Sequence, residues 1–385
     1  MMLLPMSDEE RLYCEAVEGT VKRVSPVDHV QKMDNQKQFD FGLHKALAEL
    51  GVWGVGIEEE FGGAGGTPKL QVQTLEALGR MATSMAVFGV VQFMATRLLR
   101  QYGTPAQQDK YLSKLCAGAI KASFCLTEES GGTDILQAMR TNARRADNGW
   151  RLTGSKYWIS GAMHADLLIV LARTSEHRSR GVTMFLVDKP TPGVSASEIN
   201  TFAINSYDTC SVAFDDVALS DDAVLGEVDQ GFIQVLSTFN SERLNAAAVA
   251  TGIGRGAQQL AVEYARDRQA FGRPIGQFQS LQHRLVHAGV ALEQAWLTTQ
   301  MAAIAEEQGQ TNIEVSSAIA KLAASKAANK AVRTGMETMG GAGFDLEYPM
   351  QRYYRDIRLY SFAPLTDDML ANLLGERWLG LPRSF

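Results

Sequence analysis

The sequence predicts an α+β protein with an N-terminal helical domain (residues 1–120), a middle antiparallel β-domain (121–228) and a C-terminal four-helix bundle (229–385). Two observations support this order. Apolar residues recur every three or four positions up to about residue 120 and again from about residue 232, which is typical of helices that bury one face. Between these regions the apolar residues form short β-branched runs separated by turn signals, which indicates strands.

The composition is that of an ordinary globular protein. The chain has 385 residues, of which 45% are hydrophobic and 21% charged, so it can bury a core shared by two or three compact units. A net charge of −6 gives no basic surface for nucleic acid or for an anionic membrane. The four cysteines and six histidines show no metal-ligand spacing. We therefore expect reduced thiols, no metal and a cytoplasmic location.

The N-terminal region begins with a helix signal. Ser7 and Glu10 have the spacing of a capping box, and Leu70–Tyr102 predicts one or two long apolar helices. The glycine-rich segment Gly62–Gly66 is predicted to be a loop and not a phosphate cradle, because no Lys-Ser/Thr follows it and no clear strand precedes it. The longest mostly apolar run, Met85–Ala95, is too short to span a bilayer. The first ten residues also lack the basic region of a signal peptide, so we expect a soluble, untargeted protein.

The middle region predicts a small antiparallel sheet. Its runs are rich in β-branched and aromatic residues and are separated by Asn-Gly, Gly and Pro turn signals. The predicted strands include Trp150–Ser155, Leu167–Ala172, Val182–Val187 and Cys210–Phe214.

The C-terminal region returns to helical spacing, with an alanine-rich segment that allows close helix packing. Asp367 and Asp368, directly after Thr366, indicate a helix N-terminus with a cap and a first turn that matches the helix dipole. The predicted helices are Phe232–Asp267, Ser280–Gln308, Asn312–Met339 and Thr366–Trp378.

Two stretches about thirty residues apart carry the main functional signal, Phe124–Asp134 and Lys156–Ser160. The first contains hydroxyls and a Gly-Gly corner that lets backbone N–H groups approach a ligand. In the second, alternation along a strand places Trp158 and Ser160 on the same face. An aromatic plate beside a hydroxyl suits a flat heteroaromatic ring. Taken alone, the two stretches fit equally well a β-sandwich strand with a core Trp and a glycine turn.

The first stretch resembles the T-E-P-x-x-G-S-D signature of the acyl-CoA dehydrogenase family, and Trp158-Ile-Ser160 is similar to its W-I-T strand. Arg268–Gly272, Gly340–Gly343 and Arg355-Asp356 resemble further family motifs in the family's order. The resemblance covers nearly the whole chain and implies the same three-domain fold, with FAD as cofactor.

The resemblance implies where FAD is held. Thr127 would bond the pyrimidine edge of the flavin, Thr133 the pyrophosphate, Trp158 would pack on the ring and Ser160 would lie near N5. In the family, the groups that correspond to Arg268, Phe271 and Gln279 serve the cofactor of a neighbouring subunit, which implies at least a dimer and a tetramer as the full assembly. The residues implied to contact FAD are Leu126, Thr127, Gly132, Thr133, Trp158, Ser160, Arg268, Phe271, Gln279, Glu337, Gly340, Gly341 and Thr366.

Two residues depart from the family pattern without an obvious reason. Glu129 replaces the usual proline, which adds a charge and loosens the turn. Glu337 replaces a glutamine just before the glycine motif. Because a carboxylate facing a pyrophosphate is unfavourable, we expect that Glu337 turns away or that the site binds FAD more weakly.

The catalytic base is the main departure. Many family members carry it in a Glu-Gly-Thr triplet, but this chain has Pro364 in that region and no acid. Some branches, such as isovaleryl-CoA dehydrogenase, keep the base on the long helix that opens the C-terminal domain, directly before an arginine. Glu242 and Arg243 occupy that position here, so Glu242 is the candidate base; the alternative is a surface Glu-Arg pair. The resemblance places Arg243 and Thr133 beside the substrate, although neighbours on a helix do not share a face.

The leading hypothesis is therefore an FAD-dependent acyl-thioester dehydrogenase. The base would take the α-proton, the β-hydrogen would leave as hydride to flavin N5, and a 2,3-enoyl thioester would form. The resemblance implies an electron-transfer flavoprotein as electron acceptor, and the carrier is coenzyme A or an acyl-carrier protein. Alternatives are an enoyl-thioester reductase resembling the crotonobetainyl-CoA reductase branch, a flavin-binding protein without catalysis and, less favoured, a flavin monooxygenase.

Overall fold

The computed structural model describes residues 4–177 and 180–383. Helices come first, a sheet follows and helices return, so the α+β class predicted from the sequence is confirmed. The outer limits predicted for the first and last domains, residues 1 and 385, lie outside the described residues.

The N-terminal region is helical, and its capping box is confirmed. The Ser7 hydroxyl accepts the Glu10 N–H at 3.1 Å, and the Glu10 carboxylate accepts the Ser7 N–H at 2.9 Å. The predicted segment Leu70–Tyr102 forms two helices that meet at Ala82. The helices are α1 (Asp8–Val24), α2 (Val27–Gln36), α3 (Phe41–Glu49), α4 (Pro68–Met81), α5 (Thr83–Tyr102), α6 (Pro105–Gln107) and α7 (Ser113–Cys116).

The middle region is a sheet with one short helix. It contains β1 (Ala122–Cys125), the short helix α8 (Ile135–Ala138), β2 (Asn142–Ala146), β3 (Gly149–Ser160), β4 (Leu167–Arg173), β5 (Val182–Asp188), β6 (Val194–Glu198), β7 (Thr209–Leu219) and β8 (Val224–Leu225). The strand order is β6-β7-β3-β2-β4-β5-β8, and β1 pairs with β4 beside this path.

One part of the β-domain prediction is wrong, because the sheet is not wholly antiparallel. Strand β4 pairs in parallel with β1 and, at one residue pair, with β2. The period of two identifies a strand but not its direction. Parallel pairing needs a long connection between the partners, and the β2–β3 hairpin supplies that connection here.

The C-terminal helices follow the prediction except at one break. The segment predicted as a single helix from Phe232 divides near Ser237 and Thr238, whose hydroxyls donate to the carbonyls of Gln234 and Val235 at 2.7 and 2.8 Å. Such local bonds compete with the regular helix. The elements are α9 (Gly231–Leu236), α10 (Phe239–Asp267), the hairpin β9 (Gln269–Ala270) and β10 (Arg273–Pro274), α11 (Gln279–Glu307), α12 (Ile313–Met339), α13 (Gly341–Phe344), α14 (Met350–Asp356) and α15 (Asp367–Arg377).

A hydrophobic cluster joins the sheet to the helices around the start of α10. Leu126 from the first stretch, Leu98 of α5, Met184 of β5 and Val235 of α9 belong to it, and Phe239 packs against it. The packing therefore brings the first turn of α10 to the edge of the β-domain that carries the predicted flavin residues.

Candidate active site

Hydrogen bonds join the two stretches singled out in the sequence. The Tyr157 N–H donates to the Thr127 carbonyl at 2.8 Å. The Ser123 hydroxyl donates to the Ser160 carbonyl at 2.8 Å. The candidate hydroxyl of Thr127 and the candidate indole of Trp158 therefore lie on adjacent segments.

Trp158 occupies a β-bulge. Lys156 pairs with Val212, but Ile159 pairs with Cys210, so β3 holds one extra residue here. Trp158 has a φ of 61° and its side chain remains 54% exposed. Ile159 is buried and Ser160 is only partly buried. A bulge re-aims a side chain, and here it leaves the indole free to pack against a ligand.

The Gly131-Gly132 corner has open space beside its second glycine. A Cβ on Gly131 would lie 2.2 Å from the Ala138 Cβ, so the chain's own packing requires that glycine, whereas a Cβ on Gly132 would meet nothing within 4 Å. Gly132 and Thr133 are exposed. An open backbone corner, exposed hydroxyls and an exposed indole fit a flat polar ring with a diphosphate tail such as FAD.

Glu242 lies in the first turn of α10 and is partly buried. Burial raises the pKa of its carboxyl group to about 7, an effect that the charge of Arg243 only partly offsets. Arg243 is buried and donates to the Asn240 side-chain oxygen at 3.0 Å. Within the part of the chain that the structure describes, the guanidinium forms no ion pair with Glu242. Within the described ranges, the Glu242 carboxylate forms no hydrogen bond or ion pair.

Sequence reasoning missed the residues that anchor the start of α10. The Glu306 carboxylate of α11 accepts a hydrogen bond from the Ser241 hydroxyl and pairs with Arg97 of α5 at 2.7 Å. These residues come from three helices, and no local pattern in the sequence connects them. Together they fix the turn that carries Glu242.

Thr366 caps α15, as predicted. Its hydroxyl accepts the Met369 N–H at 3.1 Å. A threonine oxygen has a second lone pair and a proton to donate, so capping leaves it able to bond a cofactor. Lys321 of α12 holds this segment by donating to the Leu365 carbonyl and to Asp367, each at 2.9 Å.

A second group of candidate residues lies at the other end of the bundle. Arg268 follows α10, and the Phe271-Gly272 pair forms the tip of the β9–β10 hairpin with φ values of 52° and 77°. Phe271 is 94% exposed, and Gln279 begins α11. Because a helix rises 1.5 Å per residue, Arg268 lies about 39 Å along α10 from Glu242. The structure does not bring these residues to Trp158 and Glu242 of the same chain.

Glu337, the departure from the family pattern, is neutralised by two arginines. Its carboxylate accepts hydrogen bonds from Arg284 at 3.1 Å and from Arg333 at 2.9 Å. Gly340 ends α12 with a φ of 57°, and Gly341 begins α13. Two arginines therefore balance the charge that was expected to repel a pyrophosphate, and the backbone at Gly340 and Gly341 stays accessible.

Comparison with known proteins identifies the family. Acyl-CoA dehydrogenase N-terminal, middle and C-terminal domain models match residues 7–119, 123–217 and 229–379. The rat (Rattus norvegicus) mitochondrial short/branched chain specific acyl-CoA dehydrogenase is 31% identical over 378 residues, which cover 97% of this chain and 86% of the relative. The chain belongs to the acyl-CoA dehydrogenase family. It is accordingly an FAD-dependent oxidoreductase that acts on acyl-CoA.

Solved structures with the same fold include a named member of this family and an FAD complex. Butyryl-CoA dehydrogenase from Megasphaera elsdenii superimposes with a TM-score of 0.93 at 29% identity, covering 98% of this chain and 100% of the other. The FAD complex of PigA has a TM-score of 0.92 at 27% identity, covering 99% and 100%.

Membrane-spanning helices and metal clusters are both absent from the part of the chain that the structure describes. Across residues 4–177 and 180–383, no helix is long and apolar enough to cross a membrane. In the same ranges, no group of three or more His, Cys, Asp or Glu side chains is arranged to hold a metal ion.

Proposed function

We propose that this acyl-CoA dehydrogenase uses Glu242 as its catalytic base. The observation that carries the proposal is a partly buried carboxyl group without a hydrogen-bond partner in the described chain, with a pKa raised by burial to about 7. A general base works best when its pKa lies near the operating pH. Pro364, in the region where many family members carry their base, has no acid to offer.

The α-proton of a thioester is only weakly acidic, so the base must be held close to the α-carbon. The Ser241–Glu306 contact and the Arg97–Glu306 pair restrict the turn that bears Glu242. When bound, FAD supplies a two-electron acceptor for the β-hydrogen, and the product is the 2,3-enoyl thioester. Closure of the site by cofactor and substrate excludes water, which keeps the Glu242 pKa high enough for proton transfer.

The test is Glu242→Gln, which keeps the size of the side chain and removes the base. We expect normal FAD content and substrate binding, with flavin reduction slowed by roughly 10²–10⁴ in rapid mixing. Glu263→Gln, the same substitution at an exposed position of α10, is the matched control. A Glu242→Gln enzyme that reduces its flavin at the wild-type rate with a good substrate would show that another group is the base.

The partners follow from the same proposal. The residues at the far end of the bundle lie about 39 Å along α10 from Glu242, so we assign them to the cofactor of a second copy in a homo-oligomer, with a tetramer as the full assembly. Val286 and Val290 of α11, 55% and 50% exposed, line an apolar groove that a further copy would cover.

We propose an electron-transfer flavoprotein as electron acceptor. We place the enzyme in the cytoplasm because its four cysteines are unpaired.

A further inference from the structure

A buried ion pair connects the two stretches that carry the flavin residues. Lys156 is completely buried, and the Glu128 side chain is 7% exposed. The ammonium donates to the Glu128 carboxylate at 2.9 Å and to the Leu126 carbonyl at 3.0 Å. The carboxylate also accepts the N–H groups of Arg140 and Thr141, at 2.6 and 3.0 Å.

Burying two charges is expensive and is recovered only when good geometry and further hydrogen bonds satisfy both groups. Burial lowers the pKa of Lys156, and the neighbouring Glu128 charge opposes that shift. For Glu128, burial raises the pKa, but Lys156 and the Arg140 N–H outweigh it, so the net pKa lies below its usual value. Apart from their contact with each other, both side chains form hydrogen bonds with nearby backbone groups.

The backbone groups bound by this pair bracket the candidate cofactor segment. Leu126 lies at its start, and Arg140 and Thr141 lie just beyond its end. Lys156 is also the last regular residue of β3 before the bulge that turns Trp158 outward. One charge pair thus ties both ends of the loop that carries Thr127, Gly132 and Thr133 to the base of the exposed indole.

We propose that Lys156 and Glu128 are positioning residues that hold the loop from Leu126 to Thr133 at a fixed distance from Trp158, so that both segments grip one flavin ring. The pair acts through the backbone and does not itself contact the cofactor. The inference rests on FAD binding and on the placement of Thr127 and Trp158 given above, and it is independent of the assignment of Glu242.

The test compares Lys156→Met, Glu128→Gln and the double variant Lys156→Met/Glu128→Gln in the full chain. For each variant we would measure the thermal midpoint, the FAD dissociation constant by flavin fluorescence on adding FAD to the apoprotein, and the absorption spectrum of the flavin bound after reconstitution. Removing one partner leaves the other charge unpaired, whereas removing both restores much of the stability. We therefore expect the thermal midpoint of the double variant to return most of the way from that of the single variants to that of the wild type. Its FAD dissociation constant should stay about tenfold or more above the wild-type value, and the absorption spectrum of its bound flavin should differ from that of the wild type.

Glu76→Gln is the matched control, since it removes a buried carboxylate that pairs with Arg80 and Arg255 in the helical region. We expect it to lower the thermal midpoint without changing FAD affinity. If the double variant binds FAD like the wild type, or if Glu76→Gln weakens FAD as much as Lys156→Met, the pair has only a structural role and the proposal is overturned. Failure of the Glu242 assignment would instead appear as an unchanged rate of flavin reduction in Glu242→Gln, and it would not alter the FAD affinities expected for the Lys156 and Glu128 variants.

Discussion

At the scale of single residues, the protonation of Glu242 should set the pH dependence of the reaction. Its pKa of about 7 in the ligand-free chain is raised by burial, and only the deprotonated carboxylate can accept the α-proton. We therefore expect kcat/KM for acyl-CoA oxidation to rise about tenfold per pH unit below pH 7 and to level off above it, because kcat/KM reports the free enzyme.

The same measurement separates oxidation from the reverse reaction. Enoyl reduction needs the protonated acid to deliver the α-proton, so its kcat/KM should fall as the pH rises through about 7. Steady-state assays in both directions with an artificial electron carrier give the two profiles, and Glu263→Gln should leave them unchanged. A profile for oxidation that inflects near the ordinary glutamate value would contradict a desolvated base at position 242.

Single residues also show where sequence reasoning reaches its limit. The charge of Glu337 looked unfavourable for a phosphate site. One of its partners, Arg333, lies one helical turn away and can be read from the sequence. The other, Arg284, is 53 residues distant and becomes a neighbour only when α11 packs against α12. A balance of charge that depends on tertiary contacts is not visible in a linear pattern.

At the scale of elements, the long helices and most strands could be predicted, because each buries one face with a regular period. The features that the sequence did not predict are those that depend on competing side-chain hydrogen bonds or on which strand lies alongside. The break between α9 and α10 depends on the hydroxyls of Ser237 and Thr238, and the direction of β1 depends on β4. Lys156 had a readable signal, since alternation from Trp150 and Leu152 places it on the core face, but its partner Glu128 could not be assigned.

The segment between α14 and α15 supports a prediction about α12. Lys321 is 1% exposed and holds Leu365 and Asp367, while Ser325 donates to the second oxygen of Asp367 at 2.9 Å. Lys321→Met keeps the apolar stem but leaves Asp367 without its cation. Breaking a buried pair in this way should lower the free energy of unfolding by about 3 kcal/mol, measured by urea denaturation.

Lys330→Met is the control for this prediction, since Lys330 lies on the same helix and is exposed. Exposed substitutions of this kind usually change stability by about 0.5 kcal/mol or less. A loss below about 1 kcal/mol in Lys321→Met would mean that water replaces the ammonium and that the segment does not depend on it.

At the scale of the whole molecule, the candidate cofactor residues fall into two groups at opposite ends of the bundle. Thr127, Trp158 and Thr366 belong with the start of α10, whereas Arg268 and Phe271 follow its end. Phe271 extends a nearly bare ring from a hairpin tip, and its edge-to-face contact with Phe278, at 6.1 Å between ring centroids, buries little of it. In the proposed assembly, each copy would contribute half of each of two sites, and symmetric pairing of two copies would complete both.

Complementation between two defective variants tests this arrangement. One variant carries Thr127→Ala/Trp158→Ala and the other Arg268→Ala/Phe271→Ala, and each alone should bind FAD weakly. If each site combines the first group of one copy with the second group of another, a mixed dimer has one intact site and one doubly defective site. Refolding the two together in equal amounts should then restore tight FAD binding and flavin reduction at about a quarter of all sites. Each variant refolded with itself is the control. A mixture that behaves as the average of the two variants would show that Arg268 and Phe271 do not serve a partner's cofactor.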